Sequence, residues 1–217
     1  MKVKIKWTYN GSKKPRANFY SELLQANEAL LIMDDLEHMN RATNIEFEDE
    51  LGNSWTKKEL KKLLEEIKDD PQDVTVYFDG GFLKNEALAG IGIVVYYTQN
   101  NKKLRLRVNK RMEQLNSNNE AEYAAFYEGM RILEELGVHH QPVTFKGDSQ
   151  VVLNQLAGDW PCFEEEFNRW LDRIEAKIKE LSILPQYETI SRKQNSEADK
   201  LASQALEGTI VRSTLQL

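Results

Sequence analysis

The sequence predicts an α/β fold: a mixed five-stranded sheet flanked by helices in the order βββαβααβα, preceded by a small α+β domain. Three observations predict it. The polar run Lys68-Asp69-Asp70-Pro71-Gln72-Asp73 breaks the hydrophobic patterning and divides the 217 residues into domains at 1–70 and 73–217. Beyond it, three β-rich stretches follow one another closely enough to form an antiparallel meander. After them strands alternate with amphipathic helices, which adds parallel neighbours to the same sheet.

In the first domain, Lys2, Lys4 and Lys6 alternate with Val3, Ile5 and Trp7, which predicts a strand over 2–9, with a weaker one over 16–21. Leu30, Leu31, Met33 and Leu36 predict a helix over 26–39. Short strands follow at 44–47 and 53–55, joined across Asp49-Glu50-Leu51-Gly52. Thr56 and Glu59 have capping-box spacing, and Leu60, Leu63, Leu64 and Ile67 repeat at i, i+3, i+4 and i+7, so a helix opens there. The order is ββαββα. Trp7 and Trp55 read as core, and the basic groups Lys13-Lys14-Arg16 and Lys57, Lys58, Lys61 and Lys62 as solvated faces.

In the second domain, 74–79 is a strand followed by a polar loop, and 90–97 is β-branched. Leu104, Leu106 and Val108 alternate with Arg105, Arg107 and Asn109. A helix over 119–136 turns Ala121, Ala124, Ala125, Ile132 and Leu133 inward and ends at Gly137, a C-cap glycine. A strand at 143–147 and a short helix at 149–156 follow. The helix over 164–181 carries Phe167, Trp170, Leu171, Ile174, Ile178 and Leu181 on one face. A strand at 184–191 and a helix at 195–206 close the order.

Hydrophobic residues make up 41% and charged residues 29%, which excludes collagen, low-complexity disorder and a membrane-embedded chain. No apolar run approaches the roughly 20 residues that span a bilayer, and none follows the N-terminal lysines, so no signal peptide is expected. One cysteine, Cys162, allows no internal disulfide and points to a reducing cytoplasm. The net charge of −6 argues against a strongly basic nucleic-acid binder while leaving room for local basic faces.

Four carboxylates stand at unusual places: Asp79 at the end of an apolar strand, Glu122 in the first turn of a helix, Asp148 after a strand, and Asp199 in the first turn of the last helix. Each has an ordinary reading as turn former, helix cap or dipole partner. If they converge they repel, by roughly 4 kcal/mol per pair at 4 Å and an effective dielectric of 20, and a hard cation such as Mg²⁺ is the natural compensation.

Residues 73 to the end resemble a type 1 ribonuclease H of the branch without the basic protrusion. The resemblance rests on Tyr77-Phe78-Asp79-Gly80-Gly81, Asn85 with Gly90-Ile91-Gly92, Asn118-Asn119-Glu120-Ala121-Glu122-Tyr123, Gly147-Asp148-Ser149-Gln150 and Asn195-Ser196-Glu197-Ala198-Asp199-Lys200-Leu201-Ala202. It implies a ribonuclease H-like fold and an endonuclease that cuts the RNA strand of an RNA/DNA hybrid with two Mg²⁺ (or Mn²⁺) ions. It further implies that Asp79, Glu122, Asp148 and Asp199 are the catalytic, metal-binding acids, with Glu122 rather than Glu120 selected by distance from the paired asparagines. Gly80, Gly81, Asn85, Asn119, Ser149 and Arg192 are implied at the substrate, Asn85 and Asn119 in the minor groove; Asn119 also reads as a helix N-cap.

The chain departs from that pattern in three places, the first being Gly81, which replaces a usual small residue. Where some family members have a histidine before the last helix it has Arg192-Lys193, and His139 and His140 lie in a loop read as solvated surface. Where relatives often place lysines that grip the DNA strand it has Glu164-Glu165-Glu166, which supports an alternative: a weakly active or inactive module that binds nucleic acid or acts as a scaffold. Residues 1–70 match no hybrid-binding motif and are a candidate for substrate or partner binding.

Overall fold

A computed structural model describes residues 1–10, 16–39, 42–66 and 69–217. Lys13, Lys14, Ile67 and Lys68, used above, lie outside the described residues. The chain separates into two compact units, Met1–Asp69 and Asp70–Leu217.

In the first unit the alternating lysines become β1 (Lys2–Asn10), which buries Val3 and Ile5 completely. It is followed by β2 (Arg16–Tyr20), β3 (Leu24–Gln25), α1 (Ala26–His38), β4 (Ala42–Asp49), β5 (Ser54–Trp55) and α2 (Lys57–Glu66). The strands lie in the order β2-β1-β4-β5, and the two residues of β3, which the sequence reading did not separate, pair with the start of β1. Ala26, Ala29, Leu30 and Met33 are the buried positions of α1, while Leu31 is 68% exposed and falls off that face. The capping box forms as spaced: the Thr56 amide donates to Glu59 at 2.9 Å and the Glu59 amide donates back to the Thr56 hydroxyl at 3.3 Å. Trp55 donates its indole N–H to Asp49, and Trp7 stacks on Phe19 at 5.5 Å, so both tryptophans are half-buried rather than fully enclosed.

The second unit is built on β6 (Gln72–Leu83), β7 (Leu88–Gln99) and β8 (Lys102–Glu113), an antiparallel meander. It continues with α3 (Asn118–Glu135), β9 (Pro142–Gly147), α4 (Gln150–Leu156), α5 (Glu165–Leu181), β10 (Leu184–Thr189), α6 (Ser196–Leu206) and β11 (Arg212–Gln216). The sheet order is β10-β9-β6-β7-β8-β11, with β9 parallel to both β6 and β10. The expected five strands are present, and β11 adds a sixth at the β8 edge. Only a short alternation after Gly208 marks it: Val211, Ser213 and Leu215 against Arg212, Thr214 and Gln216.

Two helices approach opposite faces of this sheet at glycines. Gly80 pairs with Ile91, and a Cβ there would meet the Ala121 carbonyl carbon at 2.3 Å and the Glu122 nitrogen at 2.5 Å, so α3 lies directly on the β6 backbone. Gly92 pairs with Asp79 on the other face, where a Cβ would meet the Ala198 oxygen of α6 at 2.0 Å. The main core, with Val76, Phe78, Ile91, Ile93, Phe126 and Phe145 fully buried, fills the α3 side, and α5 packs onto α3 through Tyr123–Phe167 and Tyr127–Trp170 ring contacts.

Candidate active site

Asp79 does not end its strand, as the sequence suggested. β6 runs four residues further, because glycines 80 and 81 let the hairpin continue beneath a helix. Its position is set by β9 instead. The parallel register pairs Tyr77 with Lys146, and carried two residues on it places Asp79 beside Asp148, just past the end of β9. Glu122 arrives from α3 through the contact at Gly80, whose backbone lies against the Glu122 backbone. α3 opens at Asn118 with Ser117 as N-cap, its hydroxyl accepting from the Glu120 amide. Two expectations change accordingly: Asn119 is not the N-cap, and Glu122 lies beyond the first turn, where the helix dipole no longer explains an acid.

Carboxylate oxygens of Asp79, Glu122 and Asp148 lie within 4.8 Å of one another. Asp79 and Glu122 are buried and Asp148 half-buried. Asp199 is outside that triad. It is exposed in the first turn of α6, yet close enough for its charge to act on Asp79. Burial first, then the charges of Asp148 and Asp199 and a hydrogen bond with Asp148, push Asp79 up to about 7 against the opposing charge of Arg192. Burial, with the charges of Asp79 and Asp148, pushes Glu122 well above the carboxylate range, opposed by the Gly80 amide and Arg192. Arg192 reaches Asp148 at 3.5 Å with its side chain 95% exposed, so it sits at the rim.

Glu120, the other acid in that stretch, is committed elsewhere. It accepts from the Trp170 indole at 3.2 Å and from the Asn116 amide at 2.7 Å, tying the start of α3 to α5. Ser149 occupies the N-cap position of α4 without a side-chain cap bond, so Asp148 is not the cap. Asn85 is exposed in a single 3-10 turn, Lys84–Glu86, and Asn119 is exposed as the second residue of α3.

Sequence reasoning gave Asn195 no role, and the structure puts it at the centre. It is 1% exposed, and its side-chain amide donates to the Phe78 carbonyl at 3.0 Å, to Asp148 at 3.2 Å and to Asp79 at 3.5 Å. Its backbone carbonyl accepts from the Asp199 amide at 3.1 Å, at the start of α6. One buried residue therefore joins β6 and the end of β9 through its side chain, and the first turn of α6 through its backbone. Its place four residues before Asp199 was the available signal.

Among the described residues, Glu122 Oε2 is buried with no hydrogen-bond partner. An orphaned carboxylate oxygen facing two further carboxylates is a donor set suited to a hard divalent cation, which takes oxygen ligands and returns the solvation these groups lose on burial.

Residues 77–205 match the family described as reverse transcriptase-like. The chain belongs to the reverse transcriptase-like family. A relative in the same range of length is the uncharacterized protein YpeP of Bacillus subtilis, 50% identical over 201 residues, covering 92% of this chain and 88% of that one. Among solved structures, RNase H1 from Halobacterium salinarum is 25% identical with a TM-score of 0.54, covering 63% of this chain and 98% of its own. The N-terminal RNase H domain of Rv2228c from Mycobacterium tuberculosis is 26% identical with a TM-score of 0.54, covering 62% and 94%. LC11-RNase H1, solved in complex with an RNA/DNA hybrid, is 22% identical with a TM-score of 0.55, covering 63% and 98%, and shares the fold. The mixed sheet with its helices is thus a ribonuclease H-like fold, and in this reverse transcriptase-like chain it carries an acidic triad consistent with nuclease chemistry. No helix among the described residues is long and apolar enough to cross a membrane.

Proposed function

We propose that this chain is a divalent-metal-dependent endonuclease that hydrolyses the RNA strand of RNA/DNA hybrids, working in the cytoplasm. The observation that carries the reading is the convergence of Asp79, Glu122 and Asp148, in which Glu122 keeps a buried oxygen with no hydrogen-bond partner. These three residues, with Asp199 at the rim, would hold two Mg²⁺ (or Mn²⁺) ions. Bound there, the ions supply a nucleophilic water at neutral pH and positive charge for the leaving 3′ oxygen.

The protein's own groups do the rest. Asn195 holds the facing oxygens of Asp79 and Asp148 by its amide, which leaves their other oxygens for ligands. The close approach of α3 to Gly80 sets the position of Glu122. Arg192 presents a solvent-facing guanidinium beside Asp148, suited to a substrate phosphate. Asn85 and Asn119, exposed on separate elements, supply amides for the minor groove, where 2′-hydroxyls distinguish RNA from DNA. Gly80, Gly81 and Ser149, implied at the substrate by the same resemblance, would complete the contacts beside the carboxylates. Residues 1–70 form the first domain and add a substrate grip.

The test is cleavage of an end-blocked, labelled hybrid with and without Mg²⁺ or Mn²⁺. Internal cuts in RNA that require metal and vanish in Asp79→Asn support the reading. Cleavage retained by Asp79→Asn and Asp148→Asn together rejects it. The structural relatives match this chain over 62–63% of its length while being covered almost whole, so residues 73–217 are suited to being made alone. That truncation should raise KM for hybrid, and an unchanged KM would remove substrate binding from the first domain. One observation favours the second reading, a binding or scaffold module: Phe163 is 86% exposed beside the acidic start of α5, where phosphates are repelled. Tight hybrid binding with no product, read by calorimetry beside the cleavage assay, would select it.

A further inference from the structure

His139 and His140 lie in the loop between α3 and β9, and the nuclease reading makes no use of them. We propose that they form a second metal site, a two-nitrogen chelate for a borderline divalent cation such as Cu²⁺, Ni²⁺ or Zn²⁺. The two Nδ1 atoms face each other at 3.1 Å, with the rings 83° apart. Metal–imidazole bonds of about 2.0–2.1 Å at an angle between square and tetrahedral need nitrogens about 2.9–3.4 Å apart, and the pair falls within that bite.

The backbone explains the convergence. In an extended chain successive side chains point to opposite sides. His140 has φ +51°, in the left-handed region, which breaks the alternation and brings both rings to one side. The loop is fixed at both ends. Val138 is completely buried and its amide donates to Leu133 at 2.9 Å. The His140 amide donates to Leu181 at 3.1 Å, and the Leu184 amide to Gln141 at 3.0 Å. The backbone therefore places the two rings side by side before a metal arrives, the proton shared between the Nδ1 atoms leaves as the metal replaces it, and both rings are exposed to receive it.

Ligand chemistry separates this site from the carboxylates. Imidazole suits Cu²⁺, Ni²⁺ and Zn²⁺, whereas carboxylate and water suit Mg²⁺. Position separates them too. The histidines precede the six residues of β9 and Asp148 follows them, about 20 Å along the strand. Binding requires both Nδ1 atoms without protons, each ring keeping its proton on Nε2, with water completing the shell. The proposal stands whether or not the carboxylate triad is catalytic.

The test uses the full chain and Cu²⁺, with Mg²⁺ in excess to occupy the carboxylates. Electron paramagnetic resonance should show hyperfine coupling to two nitrogens. In the double variant His139→Gln, His140→Asn the coupling should vanish and Cu²⁺ affinity should fall at least about tenfold, since losing even an outer-shell partner costs 10–100-fold. Asparagine is chosen at 140 because it tolerates the left-handed backbone, and circular dichroism confirms that the variant is folded. His38, left in place, reports what a solitary imidazole contributes. Coupling to fewer than two nitrogens, displacement of Cu²⁺ by Mg²⁺, or affinity unchanged in a folded double variant would overturn the proposal.

Discussion

Burying Asp79 beside Asp148 and Glu122 costs solvation that the neighbouring side chains only partly return, because Arg192 keeps its guanidinium in solvent and Asn195 offers an amide rather than a charge. Replacing Asp79 by asparagine removes the buried acid and keeps its shape. In the metal-free protein the thermal midpoint of Asp79→Asn should therefore rise at pH 8, measured by calorimetry, while cleavage of hybrid falls roughly 10³-fold, the scale of losing a principal electrostatic group. A midpoint that falls would mean that the acid is satisfied without metal. Asn195→Ala acts differently. It frees both carboxylates from their shared donor, so the Mg²⁺ concentration for half-maximal cleavage should increase about 10–100-fold, read from metal titrations of the rate. A change in maximal rate alone, with the metal requirement unmoved, would deny Asn195 its orienting role.

Elements meet at this site through backbone contact, and glycine is the residue that permits it. A methyl group at Gly80 would strike the Ala121 carbonyl of α3. Gly80→Ala should cost about 1–3 kcal/mol in urea unfolding, the scale of overpacking, and should displace Glu122 and with it the metal-dependent rate. Equal stability and rate would show that α3 shifts without consequence. The same contacts explain what was legible in the sequence. Strand and helix order followed from period two and period 3.6, and the acids from their places relative to those elements. Glu122 could be set apart from Glu120 by resemblance alone; the physical reason, that Glu120 faces Trp170 of α5 while Glu122 faces Gly80, lies in tertiary contact. Asn195 was invisible for a similar reason. A buried amide bridging two strands has no periodicity, and only distance reveals it. β11 escaped because a short edge strand with one wet face gives a weak alternation.

At the scale of the whole molecule, the carboxylate cluster couples folding stability to pH and to metal. Asp79 titrates near 7 in the folded metal-free chain and near its ordinary 3.8 when unfolded, so between those values the folded state holds a proton that the unfolded state has lost. Stability from this group is complete below about 4 and drains away as pH rises to about 7, and Glu122, raised for the same reason, acts in the same direction. Asp49 and Glu59, held low by burial-opposed hydrogen bonds and by the Thr56 cap respectively, act in the opposite sense: their contribution is lost as pH falls through the acid range below 4. The two effects therefore occupy separate windows. Urea midpoints measured without metal should decline from pH 5 to pH 8, and the decline should flatten in saturating Mg²⁺ and in Asp79→Asn, the first by supplying countercharge and the second by removing the acid. A metal-free profile that is level across this interval would show that the three carboxylates do not share one buried site, and the case for a paired-cation centre would fall with it.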